Sequence, residues 1–414
     1  MEIAYFTDSY PPMRDGVAQV TNGLARTVAR QGHTVRVYAP RSTQGRSPRV
    51  ETVDGVEVHR VRSLPVPLYG EYRWPVFPFR LVASVARDAD VVHLHTPGML
   101  GTTGFLAARH AHRPLVGTFH TNLDAMRGSV PEKFLVPLFF RVAWWWNLGT
   151  YYRCDVATAP SEAARATLLA SCRKPFRRAV EVVPNGIDVG RFRPGAEVPD
   201  WRARCGLSPA PLVTFLGRLT SDKGVHRFLD AFARAAAETD VVGIVGGSGP
   251  EEAAVRARLA EEPSLARRLR YVGPVAEEEK AALLGQTDVF VLPSTSDTSS
   301  VALLEAMACG AAVVAPTLGG ASEVVEPGLT GEVVDPRSPE LLAAAIARLA
   351  HDASERRRLG ETAARWVNEN RSLEAMARRF ISVYRCALGE REPREHGLVG
   401  GARGDRPPAR PGPV

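Results

Sequence analysis

The chain alternates between short runs of apolar residues and longer segments in which apolar residues recur every three or four positions. The short runs are typical of buried strands, and the longer spacing is typical of amphipathic helices. The first run, residues 1–7, is followed by helical spacing that ends at Gly32, where a helix C-cap is expected. The other predicted strands are 33–39, 91–95, 115–120, 212–216, 241–245, 270–272, 289–292 and 312–315.

Strands that alternate with helices predict βαβ units and therefore parallel sheets. The alternation occurs twice, on either side of the Pro- and Gly-rich stretch 184–211. We therefore predict an α/β protein with two doubly wound, Rossmann-like parallel-sheet domains, residues 1–184 and 185–365, facing a central cleft. The terminal helix 366–388 is predicted to pack back on the first domain. Residues 389–414 are rich in Gly, Pro and Arg, so we predict a disordered tail.

Composition narrows the possible partners. The 414 residues are 45% hydrophobic and 23% charged, which is ordinary for a globular protein. The net charge of +7 lies wholly in the first half, because residues 1–190 hold 23 basic and 15 acidic side chains and the rest hold 29 and 30. This bias favours binding to an anionic membrane face. Alternatively, the surplus basic residues form a solvated surface that binds no partner. Nucleic acid is disfavoured, because no basic run is interleaved with aromatic residues.

The cysteines and the apolar segments indicate the compartment. Five scattered cysteines predict neither a disulfide framework nor a structural zinc site. No basic segment precedes the first apolar run, so we predict no secretory signal. The most apolar segment, 134–146, is shorter than the ~20 residues that span a bilayer. Its three tryptophans, 144–146, either insert at a membrane interface or pack within the first domain. We expect a cytoplasmic protein, either free or associated with the inner face of the plasma membrane.

Two loops between a predicted strand and its helix are candidates for binding anions, because open α/β sheets bind ligands there. In residues 7–16, Gly16 opens a helix, so backbone amides can approach an anion; the alternative is a surface loop. In residues 216–224, Arg218 and Lys223 lie five residues apart beside glycines, which suits a diphosphate. Lys223 is informative because only four of the 52 basic residues are lysines. Where arginine is the default, a lysine indicates a compact point charge, although exposed cations at a helix start would give the same pattern.

Two further loops carry weaker or more complex patterns. Gly247 lies in a glycine-rich turn that tight strand-to-helix packing explains equally well. In 293–310 a polar loop with Asp297 leads into a helix that carries Glu305 among apolar residues. A buried carboxylate costs several kcal/mol unless it is paired. Ribose hydroxyls or a buried salt bridge would both supply the partner, and the amides of residues 299–301 can face a phosphate.

In combination these motifs resemble those of the family-4 glycosyltransferases, retaining nucleotide-sugar enzymes with the GT-B fold. The resemblance covers residues 1–388. Residues 217–224 resemble the family's diphosphate clamp, and 183–188 and 117–121 resemble its interdomain segment and its histidine loop. Asp297 and Glu305 occupy the two ends of its Glu-seven residues-Glu motif. The chain departs from the family pattern at Asp297, which replaces a glutamate, and at Ser300, which replaces a glycine; both departures bear on the donor's sugar.

The resemblance implies that the first domain binds the acceptor and the second binds the donor. The implied catalytic residues are His120, Arg218, Lys223 and Asp297. The implied donor-binding residues are Gly16, Gly217, Arg218, Lys223, Gly247, Ser299, Ser300, Val301 and Glu305. The implied acceptor-side residues are Tyr10, Asp15, His95 and Asn122, although His95 alternatively lies satisfied in the core. No metal and no cofactor is expected besides the nucleotide-sugar co-substrate, and Asp88 and Asp90 are set aside as metal ligands because they precede a strand.

The resemblance predicts transfer of a hexose from a donor of the GDP-mannose or UDP-glucose type to a hydroxyl of a lipid or a small molecule. Within the family, the chain resembles bacterial mannosyl- or glucosyltransferases that act on lipid acceptors. One alternative is a nucleotide-sugar 2-epimerase of the same fold, and another is a non-enzymatic nucleotide-sugar sensor. Two cations together with two carboxylates favour the transferase.

Overall fold

The computed structural model describes residues 1–13, 15–41, 48–66, 69–76, 88–120, 136–172, 175–176, 178–195 and 200–390. Residues 391–414 of the predicted tail lie outside this range. Within it the chain forms two α/β units, each built around a sheet that is mainly or wholly parallel.

The N-terminal unit contains an eight-stranded sheet and a separate two-stranded one. Its strands are β1 (Glu2–Phe6), β2 (Thr34–Pro40), β3 (Val50–Val53), β4 (Val56–Val61), β5 (Ser63–Val66), β6 (Tyr69–Pro75), β7 (Val91–Leu94), β8 (Leu115–Thr118), β9 (Val156–Ala159) and β10 (Glu181–Val182). Its helices are α1 (Gly16–Arg30), α2 (Met99–His110), α3 (Val136–Tyr152) and α4 (Glu162–Ser171). The strand order is β10-β9-β8-β7-β1-β2-β4-β3, with only the β3–β4 pair antiparallel in this sheet.

The C-terminal unit contains a six-stranded, wholly parallel sheet in the order β13-β12-β11-β14-β15-β16. Its strands are β11 (Leu212–Leu216), β12 (Val242–Gly246), β13 (Leu269–Gly273), β14 (Val289–Val291), β15 (Ala312–Pro316) and β16 (Glu332–Val334). Its helices are α5 (Trp201–Cys205), α6 (Val225–Glu238), α7 (Glu252–Glu261), α8 (Pro263–Arg268), α9 (Glu277–Gly285), α10 (Val301–Ala308), α11 (Pro339–His351) and α12 (Ala353–Asn370). A last helix, α13 (Leu373–Leu388), follows it.

Both sheets are wound outward in two directions from their first strand. In the N-terminal sheet the reversal lies between β1 and β7, and in the C-terminal sheet it lies between β11 and β14. Loops that leave such a pair of strands diverge and open a crevice at the carboxyl edge of the sheet. The doubly wound α/β fold predicted from the apolar pattern is thus confirmed.

The apolar-run pattern missed the strands in 50–75, the strands β9 and β10 at one end of the N-terminal sheet, and the edge strand β16. β3 exposes most of its residues, and β4 alternates buried with partly buried ones, so neither is a continuous apolar run. Asp54 and Gly55 join them with positive φ angles of 51° and 81°, a hairpin turn that an Asp-Gly pair favours.

The chain crosses between the units twice, near Ile187 and near Ser372. The Ile187 amide donates to the Arg371 carbonyl at 2.8 Å, and the Leu373 amide donates to the Ile187 carbonyl at 3.0 Å. Residues 366–370 of the predicted terminal helix belong instead to α12, whose Val367 packs in the C-terminal core. α13 alone packs on the N-terminal unit, with Phe380 in its core.

Buried hydroxyl groups join α13 to the centre of the N-terminal sheet. The Tyr384 hydroxyl lies 2.8 Å from that of Tyr5 and 2.9 Å from Nδ1 of His93. Nε2 of His93 lies 2.7 Å from the Thr118 hydroxyl. Since buried polar groups are nearly always hydrogen bonded, this network fastens α13 to the sheet in addition to its apolar packing.

The network predicts the effect of removing one hydroxyl. Tyr384→Phe leaves the buried hydroxyl of Tyr5 and Nδ1 of His93 without their shared partner, so we expect the free energy of unfolding to fall by about 1–3 kcal/mol. Urea unfolding at pH 7 measures it. The control Tyr152→Phe, at a partly exposed tyrosine, is expected to stay within about 0.5 kcal/mol of wild type. Equal stability of Tyr384→Phe and the control would contradict the network.

Candidate active site

Three loops meet at the carboxyl edge of the C-terminal sheet. They follow the neighbouring strands β12, β11 and β14. The Leu219 amide donates to the Ser248 carbonyl at 2.9 Å, and the Thr295 amide donates to the Asp222 carbonyl at 2.9 Å. These backbone hydrogen bonds hold the loop 217–224 between the other two.

Two glycines permit this close packing. Gly224 has a φ of +78°, and a Cβ there would collide with the Pro293 carbonyl. Gly247 has a φ of +138°, and a Cβ there would collide with the carbonyl of Gly217. Both positions therefore require glycine for packing between loops, whereas a contact of Gly217 or Gly247 with a donor stays a prediction.

Lys223, in the loop after β11, forms an ion pair with Asp297, in the loop after the neighbouring strand β14. Nζ of Lys223 lies 2.7 Å from Oδ1 of Asp297, and the two side chains are 18% and 10% exposed. The other carboxylate oxygen, Oδ2, is buried and has no hydrogen-bond partner, and neither has the buried hydroxyl of Thr220 in the facing loop. A buried acceptor without a donor is energetically costly, so Oδ2 of Asp297 is suited to accept a hydrogen bond from a ligand hydroxyl. Arg218 is half-buried in the same loop as Lys223.

Glu305 forms a second buried ion pair. Its two oxygens lie 3.2 and 3.1 Å from Nζ of Lys280, and its side chain is 3% exposed. Burial raises the pKa of Glu305, and the Lys280 ammonium opposes that shift. Of the two partners considered from the sequence, the structure contains the salt bridge; a contact with ribose stays a prediction. We missed Lys280, although the scarcity of lysine pointed to it as it did to Lys223.

The start of α10 faces the start of α1. Ser300 caps α10, because its hydroxyl accepts from the Leu303 amide at 3.3 Å. A Cβ on Gly16 would lie 3.7 Å from Cγ2 of Val301. Gly16, Ser300 and Val301 are thus brought together between the two units, and Ser299 lies half-buried just before them.

The histidine loop carries a pair of buried imidazoles. Nδ1 of His95 lies 3.1 Å from Nε2 of His120. Burial lowers the pKa of His120 to about 4. Burial, together with His93 and His120, holds the pKa of His95 well below its ordinary value. Both rings are therefore neutral at pH 7. His95 is 0% exposed and contacts His120 from within the core, and its contact with an acceptor stays a prediction.

The other acceptor-side residues make contacts inside the N-terminal unit. The Tyr10 hydroxyl donates to Oδ1 of Asn22 at 2.9 Å, and Tyr10 is only 4% exposed. Asp15 caps α1 by accepting from the Ala18 amide at 2.9 Å. Asn122 lies outside the described residues. The structure thus gives Tyr10 and Asp15 structural partners, and their contact with an acceptor stays a prediction.

The Asp88–Asp90 segment lies away from these loops. Oδ2 of Asp90 accepts from the Glu2 amide at 2.8 Å, at the amino edge of the sheet. Across the described ranges, no group of three or more His, Cys, Asp or Glu side chains is arranged to hold a metal ion.

Family models match both units. The model described as "Glycosyltransferase Family 4" matches residues 14–191, and that described as "Glycosyl transferases group 1" matches residues 199–366. The two matches divide the chain as the sheets do.

Relatives of known name match over nearly the whole chain. A GDP-mannose-dependent alpha-mannosyltransferase of Mycolicibacterium smegmatis is 32% identical over 94% of this chain and 99% of its own. A D-inositol 3-phosphate glycosyltransferase of a Nocardioides species is 31% identical over 89% of this chain and 84% of its own.

Solved structures share the fold. Sucrose-phosphate synthase of Thermosynechococcus elongatus superposes with a TM-score of 0.75 at 22% identity, covering 94% of this chain and 99% of its own. The Anabaena protein HepE, in complex with UDP and glucose, superposes with a TM-score of 0.72 at 20% identity, covering 92% and 99%.

The epimerase and sensor alternatives are therefore set aside, since the named relatives transfer sugars. One assignment follows from the two doubly wound sheets, the two loops that carry Lys223 and Asp297, and the family matches along both units. The chain belongs to the family-4 glycosyltransferases of the GT-B fold and is a hexosyltransferase.

Proposed function

We propose that the protein is a retaining mannosyltransferase that uses GDP-mannose. The relative at 32% identity is named as GDP-mannose-dependent and as an alpha-mannosyltransferase. Because the mannosyl group of GDP-mannose is itself α-linked, an α product corresponds to retention at the anomeric carbon. The N-terminal unit would receive the acceptor and the C-terminal unit the donor.

The observation that carries this proposal is the unpartnered oxygen of Asp297. Oδ2 is buried, while Oδ1 pairs with Lys223 at 2.7 Å. A sugar hydroxyl that donates to Oδ2 would satisfy this acceptor, and it would place the sugar next to the ammonium that binds the diphosphate. Asp297 is one methylene shorter than the glutamate usual in the family, which leaves more room for that hydroxyl.

The proposed reaction exchanges one bond at the anomeric carbon. The bond to the diphosphate oxygen breaks, a bond to the acceptor oxygen forms on the same face, and the acceptor proton passes to the departing diphosphate. Arg218 and Lys223 stabilise the growing negative charge, a contribution typically worth about 10²–10³ in rate for one donor. Glu305, oriented by Lys280, would accept hydrogen bonds from the ribose.

His120 would act on the sugar as a neutral group. Burial lowers the pKa of His120 to about 4, so its imidazole is neutral at pH 7 in this structure. A neutral imidazole adds no positive charge beside a sugar that itself becomes cationic in the transition state. We therefore assign His120 the role of a hydrogen-bond partner of the reacting sugar.

The acceptor would be carried by a lipid at an anionic membrane surface. Val142 and Trp145 lie three positions apart on α3, on one helix face, and they are 56% and 71% exposed. Arg141 on the same helix and Arg153 directly after it are exposed. Indole at an interface beside arginines is typical of peripheral membrane contact. No helix within the described residues is both long and apolar enough to cross a bilayer.

The donor assignment predicts which nucleotide sugar is consumed. With membrane lipid as acceptor, we expect GDP-mannose to be turned over faster than UDP-glucose. EDTA should leave the rate unchanged, because Arg218 and Lys223 supply the cations. Mass detection of the glycosylated product and the released nucleotide measures both. Preference for UDP-glucose would contradict the donor assignment, and loss of the rate in EDTA would contradict the metal-independent mechanism.

The ion pair predicts the effect of substitution. Lys223→Ala and Asp297→Asn should each lower kcat/KM by about 10²-fold or more, because each removes a charge that acts on the donor. Steady-state kinetics measure this, and thermal unfolding verifies that the variants are folded. Asp230→Asn, which breaks the Asp230–Arg258 ion pair outside the cleft, is the matched control and should keep wild-type kinetics. Wild-type turnover in Lys223→Ala would overturn the site.

The exposed face of α3 predicts binding to lipid vesicles. We expect the protein to float with phosphatidylglycerol vesicles at low salt and to be released by high salt. Val142→Ser with Trp145→Ser should weaken flotation, whereas Leu341→Ser, at a leucine 55% exposed on the C-terminal unit, should not. No vesicle binding at low salt would favour a soluble acceptor such as a phosphorylated polyol.

A further inference from the structure

Thr298 connects the two units at the site. It lies directly after Asp297 in the loop that follows β14. Its hydroxyl donates to the backbone carbonyl of His120 at 2.8 Å, and its own carbonyl accepts from the Ser161 hydroxyl at 2.7 Å. One residue of the donor loop is thus hydrogen bonded to two segments of the N-terminal unit.

Gly320 of the C-terminal unit packs closely against the same loop. The Gly320 amide donates to the Asp297 carbonyl at 2.8 Å. A Cβ on Gly320 would collide with both the Thr298 carbonyl and the Ser161 hydroxyl. The Thr298 peptide therefore lies between Gly320 and Ser161, without room for an added side chain.

A third contact reinforces the same junction. The carboxylate of Glu323, three residues after Gly320, accepts from the amides of Glu162 and Ala163 at 2.8 and 2.6 Å. These amides form the first turn of α4, whose N-terminus favours negative charge. Ser161 caps the same helix by accepting from the Ala164 amide at 3.0 Å. The segment 320–323 and the start of α4 thus keep Thr298 against the histidine loop.

His120 is consequently held at two points. His95 contacts its ring at 3.1 Å, and Thr298 holds its carbonyl. We propose that Thr298 is a positioning residue for sugar transfer. Its hydroxyl fixes the position of His120 relative to Asp297 when the two units are closed on each other. This inference deepens the proposed function and rests on it for the roles of His120 and Asp297.

The position of the bond between the units decides which kinetic constant it affects. Arg218, Lys223 and Asp297 all belong to the C-terminal unit, so these three proposed donor contacts do not need the bond to His120. Transfer needs His120 and the donor loop together. Loss of the Thr298 hydroxyl should therefore lower kcat and leave the dissociation constant of the donor unchanged.

The kinetic test uses two variants at one position. Thr298→Val keeps the shape and removes the hydroxyl, and we expect about a tenfold lower kcat, as for the loss of one hydrogen bond. Its dissociation constant for GDP-mannose by calorimetry should stay within about twofold of wild type, since the proposed contacts of Arg218, Lys223 and Asp297 with the donor are retained. Thr298→Ser restores the hydroxyl and should recover most of the kcat. Unchanged kcat in Thr298→Val, or equal losses in both variants, would overturn the proposal.

A second readout does not depend on the donor. Hydrogen–deuterium exchange of the peptide that contains His120 should be faster in Thr298→Val than in wild type. Ser338→Ala, which removes the cap of α11 in the C-terminal unit, controls for general loosening and should leave that peptide unchanged. If the wild-type protein turns over none of the nucleotide sugars, the proposed function fails, and exchange alone decides: unchanged exchange in Thr298→Val overturns the coupling.

Discussion

A carboxylate removed from water must be given a cation or a set of donors, and this requirement organises the donor half of the protein. Asp297 and Glu305 lie on one loop and the helix that follows it, and each is paired with a lysine from a different segment. Lys223 ties the loop after β11 to the loop after β14, and Lys280 ties α9 to α10. Because breaking a buried pair leaves an uncompensated charge, these contacts fix the loops around the cleft.

The same arrangement leaves one acceptor unused. A fully satisfied pair would serve only stability, whereas Oδ2 of Asp297 is buried without a partner beside an ammonium. On the facing side, burial keeps His120 neutral. The C-terminal side of the cleft therefore holds the Lys223–Asp297 ion pair, and the N-terminal side holds a neutral imidazole. Charge placement is consistent with transfer from a nucleotide sugar.

The sequence predicted the parts of this site that depend on local pattern. The buried strands of the C-terminal sheet are continuous apolar runs, so they and the loops after them could be placed. The edge strand β3 could not, since it is largely exposed and mixes valine with polar residues instead of forming an apolar run. The scarcity of lysine pointed to Lys280, but its pairing with Glu305 could not be predicted, because the two residues are 25 positions apart. Thr298 was missed because its bond to His120 joins residues 178 apart, and nothing local in either segment indicates the other.

The most direct test of the account is a crystal structure of the protein with intact GDP-mannose bound. We expect a diphosphate oxygen within hydrogen-bond distance of Nζ of Lys223, and a mannose hydroxyl that donates to Oδ2 of Asp297. A donor bound at the carboxyl edge of the other sheet, or one that leaves Oδ2 without a partner, would contradict the central claim that this ion pair builds the donor site.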